Sequence, residues 1–534
     1  MLALTVHARR RAVPAWALAG GCALLWLALA PRTPDLAAQV YRTTLFAKEG
    51  FAVWDTGWYG GHHLPGYSLL FPPLAHLVGP RPLGVLAAVA SAVLFERLAR
   101  RHWGPRATLG VAWFAAATCA DLLIGRLTYA LGVAVGLGAL VALQAGRSRL
   151  ATLLAAGASA ASPVAGLFVA LAGGTLVVAC RDRRGAALAA AALGTILALA
   201  VAFPEGGRQP FSTVALLPTV GFSVALALLL PPQERVLRTG AWLYALAALA
   251  AFVLHTPVGS NVTRLGATFA GPLLACTALG VAAASPRRRA ALLLVAVGMA
   301  GWQWKAPVVE TAKGASDPSV HARYYTGLRA FLAERERQLG GPLRVEVPFT
   351  RGHWEAVHLA PRFSLARGWE TQLDTERNAL FYAKGRRLSA GAYERWLRRN
   401  AVAVVALPDA PLDPSARAEA QLVRRGTPYL REVWRDAHWR VFAVRGATPL
   451  VAGPGRLLAL EPDAMALRAS RPGTLRVRVR WTPYWTVVRG RACLERTRGD
   501  WTAVHARAAG RVVLEARLTA EGLVRRRGSA CSSR

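Results

Sequence analysis

Lysine is nearly missing from this chain. Of 65 basic residues only Lys48, Lys305, Lys313 and Lys384 are lysines, and acidic residues number 29. Arginine, alanine, glycine and proline dominate instead, the habit of a GC-rich bacterial genome, so the net charge of +36 is not in itself a nucleic-acid signal. No basic region with interleaved aromatics leads into a nucleic-acid module. An anionic lipid or wall polymer suits the charge better than nucleic acid does. The six cysteines have no metal-binding spacing: Cys22, Cys119, Cys180 and Cys276 lie in or beside apolar runs, as packing residues do. Cys493 and Cys531 share the C-terminal region and are either a disulfide, if that region is extracytoplasmic, or free thiols. A phosphate loop, a dinucleotide fingerprint and a serine hydrolase elbow are also missing, which argues against a soluble nucleotide-driven machine. No internal repeat is visible.

Long apolar runs are what the chain does have. It has 534 residues, 54% of them hydrophobic, and a mean hydropathy of +0.31, which places it among polytopic membrane proteins with room for a soluble module. Residues 13–30 follow Arg9, Arg10 and Arg11 and read as a retained first membrane helix. Further apolar segments lie near 83–96, 107–124, 127–143, 150–162, 163–179, 186–203, 212–230, 240–255, 266–284 and 289–304, giving about eleven spans. With the N-terminus inside, the inner loops hold seventeen arginines and the outer connections eight arginines or lysines. That sign obeys the positive-inside rule and puts everything after Lys305 outside. Residues 64–78 are apolar but short and broken by Pro65, Pro72 and Pro73; they read as a re-entrant or interfacial segment beside an outer loop, 31–63.

After about 306 the pattern changes. A helix is expected over 321–338, strands over 344–348, 401–407 and 439–444, and helices over 389–399 (Ser389 as N-cap) and 414–425, together an α/β domain spanning 306–450. From 455 to 534 the period is two, as in Leu475–Trp481, Trp501–Ala506 and Val512–Leu518, which predicts a small antiparallel β-sandwich.

The candidate chemistry gathers in the outer loop. Asp35 follows the first span between Pro34 and Leu36, where a carboxylate is either a general base at the membrane surface or the start of a short helix. Asp55, Glu49, His62 and His63 could orient an acceptor or hold Mg²⁺ or Mn²⁺, Asp55 and His62 being the nearest to a metal pair; the alternative is a solvated loop. Trp54, Trp58, Tyr59 and Tyr67 suit either sugar stacking or membrane-interface anchoring. Arg126, in the hinge Gly125-Arg126, is either a phosphate clamp or the partner of Asp121; Arg264 has no acidic neighbour in sequence and leans to phosphate, and Arg208 is a further outer cation. In the soluble half, Arg367-Gly368-Trp369-Glu370 and the preceding His353-Trp354-Glu355 either touch an acceptor sugar or form an interdomain contact. Trp481, Tyr484, Trp485 and Trp501 are either carbohydrate platforms or the sandwich core.

An inside N-terminus, an outer loop opening with Asp35, many spans and an outer C-terminal module together resemble the GT-C superfamily of integral-membrane glycosyltransferases. The stretch from Asp35 through Trp54-Asp55, Trp58-Tyr59-Gly60-Gly61-His62 and Pro65-Gly66-Tyr67-Ser68 is similar to actinobacterial membrane proteins of the arabinofuranosyltransferase branch and to the 6-pyruvoyl-tetrahydropterin-synthase-related membrane group. The patch Arg367–Asp374 and the strand Trp481-Thr482-Pro483-Tyr484-Trp485 look like that group's outer domains. The resemblance implies a multi-pass protein of the bacterial plasma membrane that moves sugar from a polyprenyl phosphate to an envelope glycan or lipid. Asp35 would be the base; Asp55, Trp58, Tyr59, His62, His63, Arg126, Arg264, Arg367, Trp369 and Glu370 would contact substrate. Many members carry a paired acidic motif here, whereas Asp35 stands alone, with Asp55 twenty residues on. The rival readings are a transporter or flippase of a lipid-linked saccharide, against which the almost wholly Ala, Leu, Val and Gly span interiors count, and a non-catalytic envelope scaffold.

Overall fold

A computed structural model describes residues 13–282, 285–383, 388–524 and 531. Helices α1 (Ala15–Leu29) and α2 (Pro34–Glu49) meet at a bend of 80°. Ala30 caps α1 in the left-handed conformation, and Pro34 at the first helical position starts α2. The outer loop expected over 31–63 does open with the short helix that Pro34-Asp35 offered as an alternative, but that helix, α2, takes up half of the stretch. Its apolar and polar residues average to nothing along the chain, but Leu36, Ala37, Tyr41 and Leu45 fall on one buried face.

The helical half continues with α3 (Phe71–Val78), α4 (Pro80–Trp103), α5 (Thr108–Ile124), α6 (Leu127–Gln144), α7 (Ser148–Ala161), α8 (Pro163–Cys180), α9 (Arg183–Ala202), α10 (Thr213–Leu229), α11 (Arg235–Val253), α12 (Thr263–Ala282) and α13 (Pro286–Ala315). Every apolar segment read from the sequence falls on a helix. Among the described residues, six stretches are long and apolar enough to cross a membrane, or seven if the bent α1–α2 pair counts as one. One of the six, Pro80–Ile124, is α4 and α5 lying side by side, turned at Gly104 with φ 58°. Glycine and alanine let neighbouring helices approach closely: a Cβ on Gly132 would sit 2.6 Å from the Ala165 methyl. Residues 64–78 hold no span. They end in the eight-residue α3, which leaves Leu74, Leu77 and Val78 exposed.

Two β-rich modules follow. The first contains α14 (Thr326–Leu339), β3 (Arg344–Glu346), α15 (Glu355–His358), β4 (Ser364–Leu365), α16 (Thr371–Arg377), α17 (Ala390–Arg399), β5 (Val402–Pro408), α18 (Arg417–Arg425), β6 (Leu430–Arg435) and β7 (Trp439–Val444), after the short β1 (Trp54–Asp55) and β2 (His62–His63) of the helical half. Its sheet runs β4-β3-β5-β7-β6; β3 is parallel to both neighbours and β7 antiparallel to both of its own. Ser389 caps α17 as expected, its hydroxyl accepting from the Ala392 N–H. The second module is the expected sandwich. It begins slightly earlier than 455 and comprises β8 (Val451–Ala452), β9 (Gly455–Leu460), β10 (Ala464–Ala469), β11 (Gly473–Arg480), β12 (Trp485–Arg489), β13 (Ala492–Thr497), β14 (Trp501–Ala506) and β15 (Gly510–Ala516). The sheets are β12-β15-β10-β9 and β13-β14-β11-β8, with Leu475, Val477 and Val479 pointing into the core. A disulfide joins Cys493 to Cys531. Tyr484, Trp485 and Trp501 are buried, so these rings are core rather than sugar platforms.

Residues 50–63 tie the halves together. Residues 57–59 run parallel to β4 at the sheet edge: the Leu365 N–H donates to Gly57 and the Tyr59 N–H donates to Leu365. On the other side, Thr56 N–H donates to Pro462 and Arg480 N–H to Gly60, 2.8 and 2.7 Å. Gly61, at φ 132°, turns where any Cβ would enter the Trp54 ring.

Candidate functional site

Asp35 occupies the first turn of α2, where the helix dipole favours a carboxylate. Its Oδ2 accepts from Arg126 Nε at 3.2 Å, and both side chains keep about a fifth to a quarter of their surface, 22% and 24%. The turn between α5 and α6 makes this meeting possible. Gly125 has φ 87° and presses backbone to backbone against Leu36, a Cβ there falling 2.4 Å from the Leu36 nitrogen. Glycine at that point puts Arg126 beside α2. The Arg126–Asp121 ion pair, one of the two alternatives for Arg126, is not formed: Asp121 is buried, and its carbonyl accepts the Arg126 N–H.

Arg264, at the start of α12, approaches from a third direction. It lies within electrostatic reach of Asp35, Arg126, Asp121 and Tyr67; its guanidinium is 5.6 Å from the Tyr129 ring centre, and its Nε is buried without a partner. Two aromatic side chains complete the wall. Tyr67 lies edge-on to Trp369 at 6.3 Å, and the Trp369 indole N–H donates to the Pro34 carbonyl at 2.8 Å, next to Asp35. Asp35, Arg126, Arg264, Tyr67 and Trp369 all stay half-buried. Two guanidiniums within electrostatic reach of one part-exposed carboxylate have the chemistry to take an anion. Trp369 is 334 residues from Asp35 and Arg264 is 229, separations that no local pattern reveals.

The other expected site residues form a sealed seam. Asp55 is fully buried: Oδ2 accepts from Tyr41 OH and Oδ1 from the Gly57 N–H, each at 2.8 Å. Trp58 is stacked between Tyr41 and His62 at 4.4 and 5.2 Å. His62 is enclosed, with Nδ1 3.8 Å from Asp55 Oδ2 and Nε2 unpartnered. Burial pushes Asp55 up to about 6, against the pull of its hydrogen bonds, and pushes His62 down to about 3. Asp55, suggested with His62 as a metal pair, has both carboxylate oxygens engaged by Tyr41 and Gly57. Among the described residues no trio of His, Cys, Asp or Glu is set to hold a metal.

Tyr59 is buried and donates its OH to the Glu370 carbonyl at 3.0 Å, while the Glu370 carboxylate pairs with Arg42. His63 donates to Glu205 from its backbone, lies 2.8 Å from it through Nδ1, and meets Thr482 through Nε2 at 3.1 Å. Arg377 holds the other Glu205 oxygen at 2.8 Å. Burial alone would raise Glu205, but Arg377 and His63 outweigh it and hold the group at about 2. Arg367 lies between the Phe349 and Phe381 rings, 3.9 and 4.0 Å away, and pairs with Asp374 at 2.7 Å and Glu419 at 3.4 Å. It lies in the core, with 1% of its side chain exposed. Of the patch Arg367–Glu370, therefore, only Trp369 reaches the Asp35 group. Arg208 is exposed and its N–H donates to Gln372, at the seam's edge. Arg42, Glu205 and Arg377 carry the seam, yet no local motif marks any of them.

No family model matches this chain, nor does any curated protein.

A cavity of about 880 Å³ in the helical half does not include Asp35, Arg126 or Arg264. It lies among α4, α6, α8, α10, α11 and α12, reaching Leu265 and Gly266 just after Arg264.

Proposed function

We propose that the protein is an integral-membrane glycosyltransferase of the GT-C kind. It would take a sugar from a polyprenyl phosphate and give it to an envelope glycan or lipid. The observation that carries this reading is the meeting of Asp35, Arg126 and Arg264, three charged residues from three separate helix starts, in one half-exposed group beside Trp369 and Tyr67. In this reading the eleven apolar helices are the spans, with α3 lying in the interface. The arginine-rich helix ends face the cytoplasm of a bacterial plasma membrane, and the β-rich modules stand outside. The donor's phosphate engages Arg264 and draws Arg126 away from Asp35. The freed carboxylate takes the proton of the acceptor hydroxyl; the acceptor oxygen bonds to the anomeric carbon as that carbon's bond to the phosphate oxygen breaks. The electron pair leaves on the lipid phosphate, neutralised by the two guanidiniums. Trp369 offers its ring to a sugar.

The experiment is transfer from a panel of radiolabelled polyprenyl-phosphate sugars to envelope acceptors by the purified, reconstituted protein. Wild type is expected to label an acceptor and Asp35→Asn to fail while folding normally. An Asp35→Asn protein with full activity removes the base, and a wild type inert towards every donor removes the reaction class.

A further inference from the structure

The cavity in the helical half is chemically unlike the Asp35 group. Its interior hydroxyls are already used: Thr175 donates to Leu171, Thr219 to Ala215, Ser223 to Thr219 and Tyr244 to Val262, all at 2.6–2.8 Å. These hydroxyl protons are engaged within the helices and turns, and Leu137, Phe168, Leu226 and Phe269 supply an apolar wall. A hollow this apolar repels water, and left empty it forfeits dispersion contacts along its whole lining. Its volume of about 880 Å³ lies within the usual range for ligand sites, about 300–1,000 Å³.

The rim is as polar as the interior is not. It lies where α4, α6 and α8 end and α11 begins, at His102, Gln144, Asp182, Arg184, Glu234 and Arg235. Glu234 accepts from the Trp103 indole at 2.8 Å and meets His102 at 3.1 Å; Asp182 holds Arg184 at 2.8 Å. Both acids are thus occupied. Arg235 is left exposed and without an acidic partner among the described residues, and Arg181 and Arg183 are exposed nearby in sequence.

We infer that this cavity holds the hydrocarbon chains of an anionic glycerophospholipid, whose phosphate rests on Arg235 at the rim. The inference relies on the membrane placement proposed above but not on sugar transfer. The bound lipid belongs to the leaflet at the arginine-rich end, opposite the β-rich modules, and so is distinct from a donor at Asp35.

The test uses the full-length, detergent-purified chain, with phosphatidylglycerol and phosphatidylcholine as probes and native mass spectrometry as readout. Wild type should retain one phosphatidylglycerol and favour it over phosphatidylcholine by about fivefold, the effect of roughly one basic residue near the phosphate. Arg235→Gln, on the exposed rim, should erase that preference yet still bind lipid. Ala172→Phe, which narrows the cavity, should lose both lipids. Equal retention of the two lipids by wild type, an unchanged preference in Arg235→Gln, or undiminished binding by folded Ala172→Phe would each overturn the inference. Failure of sugar transfer leaves these outcomes untouched, and loss of lipid binding leaves the Asp35 assay untouched.

Discussion

Asp35 and Asp55 are twenty residues apart in sequence, and each lies among arginine and aromatic side chains, yet they do opposite work. Asp35 keeps part of its surface and has one partner, Arg126, which could turn to another anion. Asp55 is closed in, both oxygens committed, in a wall shared by α2, the 50–63 loop and the α/β module. The same residue types leave an open pair in one case and build a weld in the other. What separates them is whether a charge still has unused capacity and a route to it, not which side chains are present.

Substitutions can break that comparison or sharpen it. The largest expected effect is at Asp35→Asn, a loss of transfer of about 10²–10⁴-fold, the usual worth of a general base, with an unchanged melting temperature. A parallel fall in stability would make Asp35 part of the weld. Next comes Arg367→Met, which strands Asp374 and Glu419 without their cation. About 3–5 kcal/mol of stability should be lost, measured by denaturant titration, because a buried charge left alone is costly. A mild phenotype there would mean the cluster is wetter than its burial implies.

Asp55→Asn is expected to cost about 1–3 kcal/mol, since an amide cannot accept from both Tyr41 and Gly57. Activity per folded molecule should stay unchanged; a selective loss of turnover would move Asp55 into the site. The seam should also respond to acid. His62 is held neutral down to about 3, so the stability it confers is whole above its ordinary value of ~6.5 and drains away as pH falls towards 3. Asp55, raised to about 6, works in the opposite sense between ~3.9 and 6, so its stabilisation grows on acidification. The His62 window is the wider. From pH 7 to pH 4.5, His62→Phe, which keeps a ring against Trp58, should therefore lose less in melting temperature than wild type does. The smallest change is at Trp369→Phe, which forfeits the hydrogen bond to Pro34, about 1 kcal/mol, and should raise the donor or acceptor KM several-fold with kcat nearly intact.

Much of this was readable along the chain. The apolar runs mark the helices because a hydrophobic stretch of that length has few other ways to bury its backbone, and the alternation of Leu475, Val477 and Val479 with arginines marks a sandwich strand. The length of amphipathic α2 was hidden because its two faces cancel in any running average. Of the residues proposed for binding, Arg126, Arg264 and Trp369 reach Asp35, whereas Asp55, Trp58, Tyr59, His62, His63, Arg367 and Glu370 pack into the seam or the core. Composition cannot distinguish the two groups, for both are rich in rings and charge.

The sequence by itself determined where apolar segments alternate with charged ends, which periods become helix or strand, and which side chains are chemically able. Those properties are local, set by neighbours a few residues away. Only the tertiary structure decided which of the able side chains stay open. Exposure depends on what arrives from hundreds of residues along the chain: Trp369 to stand beside Asp35, and β4 to close over Trp58.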